Sequence, residues 1–247
     1  MNRHFQFASL LVISAAGFVT PRAALAQGTF QNLDFESATI PIIPAGEFGS
    51  PVPVAQALPG WTAYLPNITT VNQIGHNDLS LGGEAIIIFG PQWHSSDILQ
   101  GNYTILLETA FIGGAPQPSL TAAIGQTGLV PSSAESVRFF AVGSVKVTFN
   151  GQVIPLFQLG SRTNYTVYGG DISAFAGQTG ELRFTSPASG PVVALLDNIY
   201  FSTQPIPEPS VLGLFALGLS FLGWRSRSKR RSICNPTPTG KPTCLPV

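Results

Sequence analysis

Cysteine is nearly missing: the 247 residues contain two, Cys234 and Cys244, both close to residue 247. Everything before them therefore lacks disulfides and thiolate metal sites, and has to be held by burial alone. The two cysteines have no histidine nearby, so a zinc site on them is poorly supported. Only His76 and His94 fall between residues 27 and 209, and neither sits in a nucleophile motif. Gly-x-Ser-x-Gly, metal-protease and phosphate-loop patterns are absent, which removes the commonest hydrolase and nucleotide-binding chemistries. Charge is sparse at 10%, there is one Met, and no long helical periodicity runs between Gly28 and Thr203. A helical bundle is excluded on those grounds. Basic residues are scarce where acids are plentiful. From Gln27 to Pro209, Arg138, Lys146, Arg162 and Arg183 stand against all 12 acids, so this stretch carries −8. Nucleic acid is thereby excluded as a partner, since phosphate binding needs a clustered basic surface.

What is abundant is turn and strand chemistry: 26 Gly, 21 Pro and 17 Phe. Short β-rich runs separated by Gly, Pro, Asn and Ser predict an all-β fold. Strands are expected at Phe30–Glu36, Trp61–Leu65, Ala85–Phe89, Tyr103–Ile112, Val137–Val142 and Val145–Phe149. Further runs are Gln152–Gln158, Thr163–Tyr168, Glu181–Thr185 and Val192–Ser202. Asn150-Gly151 is the strongest hairpin signal, because both central residues of a type I′ turn need φ > 0. About ten strands at this spacing predict one two-sheet β-sandwich of jelly-roll type over residues 27–204. Asp171–Ala176 predicts a single helical turn with Asp171 as its cap. Pro41–Pro59 predicts a surface loop.

The two ends read as addresses. Met1–Ala26 has a basic start, an apolar run from Ala8 to Val19 and Ala24-Leu25-Ala26, the pattern of a secretory signal cut after Ala26. Near the other end, Pro207-Glu208-Pro209 precedes a 14-residue apolar run, Val211–Trp224, and then Arg225, Arg227, Lys229, Arg230 and Arg231. The run is shorter than the roughly 20 residues of a stable membrane helix. The basic cluster behind it predicts cytoplasmic retention of that side, with the body outside. This order of elements, over residues 205–231, resembles the PEP-CTERM sorting signal of Gram-negative bacteria. The resemblance implies an exosortase-type enzyme as partner and a transient stay in the inner membrane through 211–224. It also implies removal of the tail near Pro207–Pro209 and delivery to the cell surface or extracellular matrix. Residues 232–247, rich in Pro and Thr, are expected to be disordered.

The body resembles the galactose-binding-like sandwiches that often precede this signal. The resemblance rests on Asn32-Leu33-Asp34-Phe35-Glu36, Pro59-Gly60-Trp61, Val147–Gln152, Asp171–Gln178, Glu181–Phe184 and Leu196-Asp197-Asn198-Ile199. It implies first and last strands side by side, with a structural calcium held by Glu36 and Asp197 and helped by Asp34 and Asn198. The alternative is that Asp34 and Asp197 accept hydrogen bonds from loop amides with no metal. No other cofactor is indicated. Trp93, Trp61 and Tyr64 are the candidate sugar platforms. Trp61 opens a strand and favours the core, whereas Trp93 lies in a loop-like stretch. Asp78, Glu84, Asp97 and Glu108 are acids of the poorly matched middle, more readily read as solvated charges than as a hydrolytic pair. The expectation is an exported, non-enzymatic surface or matrix protein associated with exopolysaccharide. Its rivals are a carbohydrate-binding module of specific affinity, an exopolysaccharide hydrolase, and a tail-anchored membrane protein.

Overall fold

A computed structural model describes residues 28–207, except 45–46, 48, 50, 67, 79–82 and 190–191, together with 234–235 and 243–244. The signal segment with Ala26, the apolar run 211–224, and Glu208, Pro209, Arg225, Arg227, Arg230 and Arg231 lie outside the described residues. Among the described residues no helix is long and apolar enough to cross a membrane.

The described strands between Val52 and Ser202, numbered along the chain, form a β-sandwich of two sheets. The larger runs in the order β1 (Val52–Pro53), β4 (Gln73–His76), β5 (Ala85–Phe89), β6 (Thr104–Ile112), β15 (Val193–Ser202), β9 (Ser136–Val142), β13 (Thr166–Asp171) and β12 (Leu156–Ser161). Strand β7 (Ala115–Thr121) hangs off β6. The smaller runs β11 (Gln152–Ile154), β10 (Lys146–Phe149), β14 (Thr179–Thr185), β8 (Ala123–Leu129), β2 (Thr62–Tyr64) and β3 (Thr70–Val71). All pairings within these sheets are antiparallel except β4 with β5. Strand β15, late in the chain, lies in the middle of the larger sheet between β6 and β9.

Alternation explains the two faces. On β14, Leu182 and Phe184 point inward and are fully buried, while Glu181 and Arg183 point outward. Phe184 meets Phe139 of the opposite sheet edge-on at 5.3 Å and 84°, and Trp61 at 6.2 Å. Phe35, Ile86, Ile88, Leu107, Phe149 and Leu196 fill the same core. Strand β5 is buried at all five positions because its outer face is also covered. Trp93, Ile98 and Leu195 pack over Ala85, Ile87 and Phe89 there.

Several expectations are corrected. Phe30–Glu36 alternates like a strand but folds as turns, with Asn32 and Phe35 at positive φ. Its polar groups are taken by other partners: Trp61 Nε1–H donates to the Asn32 carbonyl at 3.0 Å, and Ile199 N–H to that of Leu33 at 2.9 Å. The segment thus touches β15 at one hydrogen bond without pairing with it as a strand, where side-by-side first and last strands were expected. Pro41–Pro59 is not all loop, since it contains β1 and a single helical turn, α1 (Val54–Ala57), whose Val54 and Ala57 are buried. Gln152–Gln158 divides at Pro155, which cannot donate to a ladder, and the chain changes sheets there. Strands β7 and β8 were not expected, although Gly113-Gly114 before β7, both at positive φ, is a hairpin signal. Asn150-Gly151 forms its predicted turn, with φ of 47° and 79°. The predicted helical turn is a 3-10 turn at Ser173–Phe175 whose N-cap is Ile172 rather than the expected Asp171; Asp171 Oδ1 accepts from the Ser173 N–H at 2.9 Å just ahead of it. In the tail expected to be disordered, β16 (Cys234–Asn235) pairs with β17 (Thr243–Cys244), setting Cys234 opposite Cys244.

With no disulfide in the body, deleting the ring between the sheets is costly. Phe184→Ala is expected to remove about 3–5 kcal/mol of stability. Val153→Thr, at a position 54% exposed, should change it by less than about 0.5 kcal/mol. Urea unfolding midpoints of the two variants check both values.

Candidate functional site

Glu36 and Asp197 are brought together by the loop that leads into β6. The Gln100 N–H donates to Asp197 Oδ2 at 3.0 Å, and the Thr104 hydroxyl to the same oxygen at 2.8 Å. Asp197 Oδ1 accepts from the Asn198 N–H at 2.6 Å. Glu36 Oε1 accepts from the N–H groups of Asn102 (2.8 Å) and Tyr103 (3.1 Å), while Oε2 accepts from the Asn102 amide at 2.9 Å. Gly101, at φ +63°, passes so close over the Glu36 carboxylate that a Cβ has no room. The two acids therefore clamp one tight loop from its two ends.

As a calcium shell this set does not fit. Calcium takes six to eight oxygens, whereas every oxygen of these two carboxylates faces an N–H or O–H donor. Asp34 does not join them: its Oδ1 accepts from the Glu36 N–H at 3.3 Å within its own turn. Asn198, at φ +43°, contributes its backbone N–H. Among the described residues no group of three or more His, Cys, Asp or Glu side chains is arranged to hold a metal ion. The carboxylates do the work of loop caps. Asp197 is only 1% exposed, and burial pushes its pKa from 3.8 up to about 7. The donated hydrogen bonds oppose that rise, and the Glu36 charge adds to it.

The three aromatic candidates separate. Trp61 is 5% exposed and packs against Phe35 and Phe184, so it belongs to the core and cannot serve as a platform. Trp93 is half-buried; it stacks flat on Phe89 at 4.6 Å and 5°, and its Nε1–H donates to Asp97 Oδ2 at 3.0 Å. It covers the outer face of β5. Tyr64 lies on the outer face of the smaller sheet, where its hydroxyl donates to Glu181 Oε1 at 2.8 Å. The Arg183 guanidinium sits 3.9 Å over its ring and pairs with Glu181 at 3.0 Å. Burial, then the hydrogen bond to Glu181, raises the Tyr64 pKa. Gly125 opens the space beneath, since a Cβ there would meet Glu181.

Beside this trio is a cleft of about 350 Å³, lined by Lys146, Arg183, Glu181 and the threonines Thr148 and Thr185. Two of the body's four basic side chains are thus in one place. Sequence reasoning found Tyr64 but not Glu181, 117 positions away, nor Arg183 and Lys146; outward positions on a β-ladder do not announce their partners. Of the acids in the middle, Asp78 and Glu84 line one shallow cleft. Asp97 is engaged by Trp93, and Glu108 is buried. His76 is 2% exposed, and its burial lowers its pKa, which keeps the ring neutral.

Residues 205–230 match the family described as the PEP-CTERM protein-sorting motif. No curated protein and no solved structure matches the chain significantly. The matched stretch begins three residues after β15 ends. The motif implies export with cell-surface sorting and processing by an exosortase-type enzyme.

Because the folded state raises the Asp197 pKa, proton uptake there favours folding. That contribution is complete below about pH 4 and is lost as pH rises to about 7. The urea midpoint should therefore fall between those values, at a limiting slope of about 1.4 kcal/mol per pH unit. Asp197→Asn, close in shape to the protonated acid, should flatten the difference between pH 5 and pH 8, and added calcium should leave both midpoints unmoved.

Proposed function

We propose that this chain is an exported, non-enzymatic protein of the cell surface or extracellular matrix, whose body is a galactose-binding-like jelly roll. The carrying observation is the sorting motif at residues 205–230, which follows directly on an all-β body. The basic cluster at 225–231 and the apolar run at 211–224 would hold the precursor briefly in the inner membrane, until the tail is cut near Pro207–Pro209. An acidic body stays soluble among polymers by like-charge repulsion. Intact mass spectrometry of the protein recovered from its own cells is expected to show loss of residues 1–26 and of everything after the cut. A mature protein that keeps Arg225–Arg231 would make the chain a tail-anchored membrane protein instead.

Association with exopolysaccharide is the second element of the reading. It is supported by the cleft beside Tyr64, where a guanidinium held by Glu181 lies among threonine hydroxyls. Planar stacked Arg and hydroxyl groups suit a sugar's mixture of hydroxyls and anionic substituents. Titration of the full chain with polysaccharide from its own matrix is expected to show binding that weakens at least about tenfold in Arg183→Ala, the loss of one or two such bonds. Unchanged affinity in that variant moves the site elsewhere, and sugar release during the titration would make the protein a hydrolase.

A further inference from the structure

Strand β15 ends at Ser202, yet the chain does not leave the sandwich there. The Gln204 N–H donates to Ser202 Oγ at 3.1 Å. The Gln204 carbonyl accepts from Ser136 Oγ at 2.7 Å and from Arg138 Nη2 at 3.0 Å. Arg138 Nη2 also reaches the Pro205 carbonyl at 3.4 Å, and its Nε–H donates to Ser136 Oγ at 3.0 Å. One residue further, Ile206 lies over Gly169, where a Cβ would stand 2.8 Å from its Cδ1. Residues 204, 205 and 207 help to line a cleft of about 460 Å³ whose other walls include Arg138, Phe157 and Leu159. The sorting motif begins at residue 205, so its first three residues are part of the body's surface.

We infer that Arg138 is a positioning residue for the processing of this chain: with Ser136 and Gly169 it seats residues 204–207 and withholds the flank of Pro207–Pro209 until the seat opens. A protease reads its substrate as an extended strand through free backbone groups. Two of the carbonyls on that flank accept hydrogen bonds from a guanidinium, and the Ile206 side chain is tucked against the sheet. The inference rests on the reading that the chain is cut near Pro207–Pro209.

Pulse–chase labelling of the full chain in its own cells tests the seat by the rate at which precursor becomes processed protein. Arg138→Ala, which loses one or two charge-assisted hydrogen bonds, is expected to speed conversion about tenfold. Arg138→Lys, with a point charge in place of the fork, should fall between it and the parent. Gly169→Ala presses on Ile206 Cδ1 and Leu159 Cδ1, at 2.8 and 2.7 Å, and stands 3.3 Å from the Arg138 Cγ, yet leaves the guanidinium donors in place; it should also speed conversion, so the test survives if the arginine variant folds poorly. Urea midpoints identify such folding losses. Parental or slower conversion in both Gly169→Ala and a folded Arg138→Ala overturns the seat and leaves the sorting reading intact. If no variant, nor the parent, is ever cut, it is the processing reading that fails.

Discussion

Burial between the two sheets is the constraint on which everything else here depends, because the body has no covalent cross-link to fall back on. Phe139 and Phe184 meet edge-on at the middle of that interface, with Trp61 alongside. Their rings fix how far apart and in what register the sheets lie. The outward residues of the same strands inherit that register. Arg183 faces Tyr64 because its neighbours Leu182 and Phe184 must face inward, and Arg138 meets Gln204 because Val137 and Phe139 are in the core. Both surface constellations are by-products of the inward pattern.

The acidic residues show the opposite economy. In a stretch (residues 27–209) at −8, Glu36 and Asp197 lie near one another, and Asp197 is almost fully enclosed. The loop from Gln100 to Thr104 answers with a series of donors, which compensates part of the desolvation. The rest appears as the raised proton affinity of Asp197. A tight loop is therefore ordered by a locally unfavourable charge, and one centre serves both as a cap and as a source of pH sensitivity.

How much of this was legible depends on whether the signal was local. Ala85–Phe89 and Tyr103–Ile112 are strands by composition, and both lie within a residue of their expected bounds. Asn150-Gly151 declares its turn through backbone sterics alone. Phe30–Glu36 misleads because its alternation is real while many of its hydrogen-bond partners are distant: Gln126 takes the backbone of Gln31, the Trp61 indole the Asn32 carbonyl and the Ile199 amide the Leu33 carbonyl. Strand β7 contains two prolines, which disguised it; as a side branch paired with β6, it tolerates them. Trp93 read as a loop aromatic, and its loop folds back onto Phe89, a contact that no spacing rule encodes. Of the site, the pairing of Glu36 with Asp197 was readable through the resemblance. The donors that occupy them were not, being backbone groups of a loop that has no motif.

The place of β15 has a consequence for the order in which such a chain can fold. This strand joins the β6 and β9 halves of the larger sheet, and its Ile199 also meets Leu33 near the front of the body. A polypeptide that emerges from the ribosome N-terminus first delivers that keystone nearly last. Until it arrives, the larger sheet exists as two unjoined pieces and the most sequence-distant contacts have no partner to close on. The topology thus makes completion of the larger sheet wait for residues close to the C-terminal end of the body.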